Sequence, residues 1–416
     1  MMTISIYVGF RIGNRPLIAY GLFFLVLFIM SNIYSSMLLK KIFLKREHYP
    51  RCFEGNDVAI DIKIETESTI PAFMLEITDI FPPGHEYKTH HLLPFIFNRN
   101  NQYQIQYRGN CSRRRGLYIL GPIKLSCADP LGIFPRSVEL EEFTRLLVYP
   151  QAVDLRYFQV LWKGTLLHVG LETLLTSGRS EEFIGLRDYQ RGDSPNLIHW
   201  RSTARHQKLL VKDFKENVQT EVSIFLDLYR LSLSGLGDVT TVEYIIKAGA
   251  TVARISIELG HFVQVFALCE EIEHIPLGGG TAHLINVLDR MTFFKAKGEG
   301  SFEDAFKQQS YLCKNGSTVV LIAAGTNFSH SNLKNTLREL ISRKIRVIVI
   351  LIDDRTFIKL WKEQEMLHVT AAPIDEIAKL LILDGCAVFV IGKDDKLEEK
   401  LGLPVETIET VTTKYF

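Results

Sequence analysis

The chain has 416 residues, which is long enough for two or three domains of ordinary size. With 47% hydrophobic and 23% charged residues its composition is that of a globular protein, and its formal net charge of +1 gives no reason to expect a nucleic-acid partner. The cysteines form no CxxC pair, which argues against structural zinc and a dense disulfide framework and favours reduced thiols at Cys52, Cys111, Cys127, Cys269, Cys313 and Cys386.

The first predicted element is a transmembrane helix over residues 16–39. The stretch PLIAYGLFFLVLFIMSNIYSSMLL contains no charged residue, and about 20 apolar residues suffice to cross the hydrocarbon core. A cleaved signal peptide is the alternative, but its apolar region would be shorter, about 7–15 residues. More basic residues follow the segment than precede it, so the positive-inside rule predicts a single-pass protein of the inner membrane with its C-terminal bulk in the cytoplasm. Residues 1–10 are too short to span a membrane alone.

Alternating apolar and polar residues predict strands between residues 56 and 150. The stretch DVAIDIKIETES has the period of a half-buried strand, and AFMLEITDIFPPG indicates a strand that ends in a turn. No helical period is visible in this region, so we expect a small β-sandwich of the immunoglobulin-like type. The basic triplet at residues 113–115 is interpreted as a solvated turn, with a phosphate site as the less favoured alternative.

From residue 221 the pattern changes to alternating strands and helices. The stretches EVSIFLDL, FVQVFALC, STVVLIAA and IRVIVILID are typical of buried strands, and helices are predicted between and after them, at residues 241–259, 331–342 and 374–383 among others. This alternation predicts a doubly wound parallel sheet. Ligands bind such sheets at the carboxyl ends of the strands, so Asp227, at the end of the first strand, marks the edge where chemistry is expected.

The stretch GLRDYQRGDSPNLIHWRSTAR, residues 185–205, is rich in charged and anchoring residues. It contains four arginines, two aspartates, a histidine and a tryptophan. Asp193 or Ser194 is suited to capping a short helix that has Pro195 in its first turn. A general acid–base pair of Asp193 and His199 is therefore the less favoured alternative.

This stretch lies between two predicted strands, EEFIGL and KLLVKDF, and we expect it to connect the sandwich to the α/β domain. In such a connector Trp200 would be a buried anchor. Arg187 and Arg205 carry donors suited to a carboxylate, and Asp193 is the nearest candidate acceptor. Exposed members such as Arg191 would be free to contact a partner.

The longer stretch EEFIGLRDYQRGDSPNLIHWRSTARHQKLLVKDF resembles the signature of the domain-of-unknown-function 58 family. A second stretch, RRGLYILGPIKLSCADPLGIFPRSVEL followed by VYPQ, is also similar to this family. The positions that match the signature are Glu182, Phe183, Gly185, Leu186, Arg187, Tyr189, Gly192, Asp193, Ile198, Trp200, Ala204, Arg205, Leu209 and Val211.

The resemblance implies a membrane-anchored bacterial protein whose C-terminal part is similar to a von Willebrand factor A domain. Members of the family are commonly encoded beside MoxR-type AAA+ ATPases and transglutaminase-like membrane proteins, which implies an ATPase partner. Members usually begin with two membrane spans, whereas one is predicted here.

The metal site of von Willebrand factor A domains begins Asp-x-Ser-x-Ser, and this sequence departs from that pattern. The corresponding stretch is DLYRL, in which Asp227 remains but Tyr229 and Leu231 occupy the serine positions. Magnesium requires oxygen ligands in a near-octahedral set. We therefore predict a degenerate site without metal, no cofactor, and a role for Asp227 in capping the next helix or contacting a partner.

Four parts are predicted: a membrane anchor with its basic flank (residues 1–50), the β-sandwich (51–150), a connector with the signature (151–220) and a von Willebrand factor A-like domain (221–416). We expect a non-enzymatic adaptor or docking protein that works with a MoxR-type AAA+ ATPase in envelope or complex assembly and sits in the lipid bilayer. A metal-dependent adhesion receptor and a hydrolase using Asp193 and His199 are the alternatives. The signature residues expected to serve structure or partner contact are Arg187, Tyr189, Gly192, Asp193, His199, Trp200 and Arg205.

Overall fold

The structure is a computed structural model that describes residues 2–67, 71–96, 103–130, 132–153, 181–189, 193, 195–216, 220–325, 328–357 and 373–401. The chain divides into two compact units. Unit 1 comprises Met1–Gln151 and Leu288–Phe293, and unit 2 comprises Ala152–Val287 and Phe294–Phe416. Each unit has a hydrophobic core of its own.

Unit 1 begins with two apolar helices, α1 (Met2–Ile12) and α2 (Arg15–Leu38). The side chain of Asn14 caps α2 by accepting a hydrogen bond from the backbone N–H of Leu17 at 3.3 Å. Pro16 suits the first turn, because the N–H it lacks would have no partner inside the helix. By length and composition α2 can cross a membrane, as its sequence predicts.

Helix α1 folds back along the first half of α2. Gly9 faces Ile18 and Gly21 faces Ile6, so closely that a Cβ atom at Gly21 would lie 2.4 Å from the Ile6 Cγ1 atom. From the first pair to the second, the residue number falls in α1 and rises in α2, so the two helices are antiparallel. Glycine permits this close approach of two helix backbones, which is the usual role of small residues between helices in membranes.

The described part of unit 1 contains ten strands in three sheets. Sheets β1-β3-β6 and β5-β4-β8-β9 are antiparallel, whereas in the third β10 runs parallel to β2 and antiparallel to β7. The strand-rich prediction for residues 56–150 is confirmed. The strands are β1 (Ile42–His48), β2 (Arg51–Phe53), β3 (Asp57–Thr66), β4 (Ala72–Ile80), β5 (Lys88–Ile96), β6 (Tyr103–Asn110), β7 (Gly116–Leu120), β8 (Ile123–Cys127), β9 (Arg136–Leu140) and β10 (Thr144–Tyr149).

The core of unit 1 joins all three sheets. In β3 every second side chain is buried, at Ile60, Ile62 and Ile64, because successive residues of a strand point to opposite faces. These side chains belong to one cluster with buried residues of β4, β8 and β10. The period-2 pattern seen in DVAIDIKIETES therefore corresponds to real burial.

A buried ion pair lies within this β-rich unit. The guanidinium of Arg46 pairs with the carboxylate of Asp79, and both side chains are almost wholly buried. The hydroxyl of Tyr107 donates to the same carboxylate at 2.6 Å, and Arg46 also donates to the Thr144 hydroxyl at 3.3 Å. Removing one partner of such a pair costs about 3–5 kcal/mol, because it leaves the other charge buried and unpaired.

The sequence predicted a solvated turn for residues 113–115, but Arg115 is not in contact with solvent in this way. It is buried, and its guanidinium donates to the backbone carbonyls of Met291 at 3.0 Å and Thr292 at 2.8 Å, which belong to the same unit. The prediction is wrong for Arg115 because these carbonyls come from a segment 176 and 177 residues away. Local sequence does not reveal such partners.

The last turns of α2 pack against the β-rich part of unit 1. Ser31, Ser35 and Leu38 are buried and lie on one face of the helix, at intervals of three and four residues. The hydroxyl of Ser31 donates to the buried carboxylate of Asp129, which follows β8. The polar residues near the end of α2 therefore face unit 1.

The described strands and helices of unit 2 alternate from residue 221 onward, as predicted. The strands are β11 (Glu181–Asp188), β12 (Leu210–Glu216), β13 (Glu221–Asp227), β14 (Gly235–Leu236), β15 (Val239–Thr240), β16 (Phe262–Leu268), β17 (Glu273–Gly278), β18 (Thr318–Ala324), β19 (Arg346–Ile352) and β20 (Ala387–Ile391). The helices are α3 (Trp200–His206), α4 (Thr241–Glu258), α5 (Gly280–Met291, whose last residues belong to unit 1), α6 (Phe302–Gln309), α7 (His330–Ser342), α8 (Ile374–Leu383) and α9 (Leu397–Lys400).

The main sheet of unit 2 has six strands in the order β17-β16-β13-β18-β19-β20. All neighbours are parallel except β17, which runs antiparallel to β16 at the edge. Helix α4 packs against β13, β16 and β18. A separate cluster joins α6, α7 and α8 to alternate strand residues such as Phe225, Leu321 and Val349. Helices therefore cover both faces, and β13 lies inside the sheet with its carboxyl end at Asp227.

Candidate functional site

The signature stretch folds as a small hairpin module in unit 2. Strands β11 and β12 are antiparallel, with Leu186 opposite Lys212 and Asp188 opposite Leu210. The segment between them contains a 3₁₀ turn (Pro195–Leu197) and α3. Ile198 forms a bridge to Val211, whose side chain is fully buried, so the segment is tied back onto β12.

Helix α3 is capped by His199, and not by Asp193 or Ser194 as predicted. The Nδ1 atom of His199 accepts a hydrogen bond from the backbone N–H of Ser202 at 3.2 Å. The predicted cap is wrong because the turn at Pro195 is a separate 3₁₀ turn and the α-helix begins only at Trp200. One ring nitrogen of His199 is thus engaged in the cap, which does not favour the acid–base pair with Asp193.

Trp200 is 65% exposed, so the prediction of a buried anchor is wrong. The side of α3 that faces β12 carries Thr203, whose hydroxyl accepts a hydrogen bond from the Leu210 N–H at 3.0 Å. Trp200, at the first position of α3, is mostly exposed all the same, so its large apolar side chain did not by itself predict burial.

Several exposed residues lie close to Trp200 in the sequence. We call this set the Trp200 surface: Trp200, Arg201, Arg205, Lys208 and Leu209, all of them exposed. Residues 195–212 contain four basic residues and no acidic one. Within the described residues, no ion pair involves these cations, so the predicted pairing of Arg205 with Asp193 is not found there. The surface is basic and partly aromatic.

The remaining signature residues outside α3 lie in or near the hairpin strands in the sequence. Tyr189 is 37% exposed, and its backbone N–H donates to the Leu209 carbonyl at 2.9 Å, closing the hairpin. Asp193 is half-buried. Gly192 and the side chain of Arg187 lie outside the described residues, so their roles stay predictions.

A second polar site lies at the carboxyl end of β13. Asp227 is 1% exposed, and its carboxylate accepts hydrogen bonds from the Tyr229 N–H at 3.2 Å and the Ser232 hydroxyl at 2.5 Å. Both donors belong to the turn that contains the 3₁₀ helix Arg230–Ser232. Asp227 therefore holds the turn that follows its own strand, but it does not cap the next helix as predicted, because the side chain of Thr240 caps α4.

Burial dominates the electrostatics of Asp227. It raises the pKa of this carboxyl to about 7, although the hydrogen bonds from Ser232 and Tyr229 lower it, and the nearby charge of Glu303 raises it further. Glu303 is itself buried and accepts hydrogen bonds from the Ser329 N–H at 2.6 Å and the Ser301 hydroxyl at 2.8 Å. The two carboxyls are thus held by loop donors.

Sequence reasoning identified Asp227 but missed Ser232. The family pattern placed oxygen ligands at the positions of Tyr229 and Leu231, whereas the hydroxyl that reaches Asp227 comes one residue after Leu231. Among the residues that the structure describes, no group of three His, Cys, Asp or Glu side chains could hold a metal ion. The metal prediction for this edge stays a prediction.

The fold and these sites define a protein with an apolar N-terminal helix, a β-rich unit and a unit with a mixed sheet that displays a basic, aromatic surface. The family model described as "Protein of unknown function DUF58" matches residues 185–363. This match confirms the family resemblance predicted from the signature. It includes the hairpin module and most of the six-stranded sheet.

No curated protein matched the chain, and the three solved structures that follow resemble it only remotely. A CARDB domain from Pyrococcus furiosus is 10% identical, with a TM-score of 0.18, and the match covers 26% of this chain and 86% of that domain. Proximal thread matrix protein 1 from the mussel byssus is 11% identical, with a TM-score of 0.27 and coverage of 44% and 46%. A GH20 exo-β-N-acetylglucosaminidase from Vibrio harveyi is 8% identical, with a TM-score of 0.18 and coverage of 75% and 57%. TM-scores this low assign neither a fold nor a function.

Proposed function

We propose that this protein is a non-enzymatic, membrane-anchored docking or adaptor protein that works with a MoxR-type AAA+ ATPase in envelope or complex assembly. The observation that carries the proposal is the exposure of Trp200 among basic side chains on the DUF58 signature. Helix α2 anchors the chain in the inner membrane, and the basic residues after it keep both units in the cytoplasm.

The chemistry of the Trp200 surface suits a protein partner. Tryptophan and arginine are enriched at the energetic centres of protein interfaces, and most of Trp200 is available for such a contact because it is 65% exposed. Because Arg201, Arg205 and Lys208 are exposed and follow Trp200 closely in the sequence, an acidic patch on the partner is the complement. The ATPase would present that patch.

The folds that we propose for the two units agree with this role. The β-rich unit is an immunoglobulin-like sandwich, and the six-stranded sheet with helices on both faces is similar to a von Willebrand factor A domain. Partners of open α/β sheets are commonly bound at the carboxyl ends of the strands. In this chain Asp227 stabilises the turn at that edge instead of offering both carboxylate oxygens to a metal ion.

The test is binding of the full-length protein in lipid nanodiscs to a purified MoxR-type ATPase from the same organism. We expect Trp200→Ala to weaken binding at least tenfold, which corresponds to about 1.4 kcal/mol. Arg205→Glu should weaken it too and reduce its dependence on salt. The thermal unfolding temperature of Trp200→Ala should stay close to that of the wild type, because the side chain has little packing to lose.

Leu383→Ala is the matched control, since Leu383 is an apolar residue of unit 2 that is 82% exposed outside the Trp200 surface. It should bind like the wild type. Equal binding by the wild type, Trp200→Ala and Arg205→Glu would exclude the Trp200 surface as the docking site. Absence of any binding by the wild type would contradict the ATPase partnership itself.

A further inference from the structure

A loop of unit 1 lies against the middle of the apolar helix. The ring of Phe134 packs edge-on against that of Phe28, with 4.6 Å between the ring centroids. The carboxylate of Asp129, which precedes these residues in the chain, accepts a hydrogen bond from the hydroxyl of Ser31, one turn further along α2. Residues 132–134, which we call the 132–134 loop, are therefore at the level of Phe28.

The length of α2 fixes the depth of Phe28. Crossing the hydrocarbon core takes about 20 helical residues, and α2 has 24. Every window of that length within α2 contains Phe28, which then lies roughly 9–15 Å below the surface of the core nearer to unit 1, at 1.5 Å per residue. A side chain in contact with Phe28 must lie at a similar depth.

The 132–134 loop has an apolar side chain and hydrogen-bonded backbone N–H groups, as a segment at this depth in the hydrocarbon core requires. Ile133, at its tip, is 45% exposed and apolar. The Phe134 N–H donates to the Asp129 carboxylate at 2.6 Å, and the Gly132 N–H donates to the Asp129 carbonyl at 2.8 Å. These backbone donors are satisfied inside the protein, as groups within a bilayer must be.

A basic residue marks the upper limit of the buried part. The guanidinium of Arg136 donates to the Asn32 side chain at 2.7 Å, one turn closer to the end of α2 than Phe28. A long arginine side chain in this position can extend its charge toward lipid headgroups. Toward the C-terminal end of α2, the helix therefore contacts the apolar loop first, at Phe28, and the cation of Arg136 next, at Asn32.

We infer that the 132–134 loop is a second membrane-inserted element, which contacts lipid acyl chains beside α2. The inference rests on the anchoring role of α2 in the proposed function and adds a lipid contact made by the β-rich unit. We commit to lipid as the contact because Ile133 is exposed, apolar and adjacent to Phe134, whose partner Phe28 lies on α2 between the exposed apolar residues Phe24 and Ile29.

The experiment uses full-length protein in nanodiscs whose lipids carry doxyl quenchers at defined acyl depths. A polarity-sensitive fluorophore is attached to Ile133→Cys, to Phe24→Cys on α2, and to Ile119→Cys, an exposed apolar residue on β7. The six native cysteines are buried, so they contribute little background. We expect the labels at positions 133 and 24 to be blue-shifted and quenched, and the label at position 119 to stay in water.

Quenching at position 24 without quenching at position 133 would overturn the loop insertion and leave the anchor in place. Absence of quenching at both positions would refute the anchor and the insertion together. A blue-shifted but unquenched label at position 133 would also overturn the inference, because protein and not lipid would then cover the loop. Melting curves of the three labelled variants against the wild type verify that each is folded.

Discussion

Asp227 makes the stability of unit 2 depend on pH. Its pKa is about 7 in the folded chain, chiefly because of burial, and 3.8 in the unfolded chain. The folded state therefore holds a proton that the unfolded state releases, and stability falls as pH rises from about 4 to about 7. The full contribution is present only below the unfolded pKa.

We expect Asp227→Asn to flatten this dependence, because an amide keeps an oxygen acceptor but does not ionise. The measurement is the unfolding temperature of the full-length protein between pH 5 and pH 8. Glu398→Gln, at an exposed carboxyl, should follow the wild type. Identical pH curves for wild type and Asp227→Asn would show that this carboxyl is not protonated in the folded chain.

Individual side chains show where sequence reasoning succeeds and fails. Asp227 was identified because a strand end is fixed by the apolar run before it. Trp200 and Arg115 were both assigned to the wrong environment, since burial depends on which segments the fold brings to a residue and not on its own type. The cap at His199 was missed because a histidine is an uncommon cap and the neighbouring Asp193 is a common one.

At the scale of elements, strong hydrophobic periodicity was sufficient to predict where helices begin and end. The helix predicted over residues 241–259 is observed as Thr241–Glu258, and the last predicted helix has its predicted bounds, Ile374–Leu383. The edge strands β17 and β20 were not predicted. β17 contains a proline, which suits an edge strand, and shows no alternation of polar and apolar residues, while β20 is only five residues long.

The contact between α1 and α2 depends on Gly21. A side chain at this position would collide with Ile6, so Gly21→Leu should separate α1 from α2. Spin labels at Ile4→Cys and Met37→Cys, both exposed, report the arrangement. In wild-type protein in nanodiscs we expect a narrow distance distribution near 20 Å, estimated as roughly 14 residues of rise along the antiparallel pair.

Gly21→Leu should broaden this distribution and shift its mean. Ala19→Leu adds comparable bulk at an exposed position of α2 and should leave the distribution narrow. If Gly21→Leu also leaves it unchanged, the glycine contact does not hold α1 in place.

At the scale of the whole molecule, the placement of both units in the cytoplasm is open to a direct test. Native Cys313 and Cys386 are buried and are unsuitable as labelling sites. Tyr311 is 70% exposed, so Tyr311→Cys offers an accessible thiol in unit 2. We expect a membrane-impermeant maleimide to label it only after the inner membrane is opened. Labelling in cells with a permeable outer membrane and an intact inner membrane would place unit 2 outside the cytoplasm and exclude a cytoplasmic ATPase partner.

The contact between α2 and the β-rich part of unit 1 also relates the protein to the thickness of the membrane that α2 would cross. The uninterrupted apolar run of the helix, residues 16–30, has a length of only about 22 Å at 1.5 Å per residue, whereas the hydrocarbon core measures about 30 Å. Beyond this run, Ser31 and Ser35 are shielded by unit 1 and Asn32 is bonded to Arg136. The helix and the β-rich unit together therefore match the bilayer, and a thicker membrane exposes the polar turns to a hydrophobic mismatch that a thinner one relieves. Membrane regions of low hydrophobic thickness are consequently the ones in which this anchor is best accommodated.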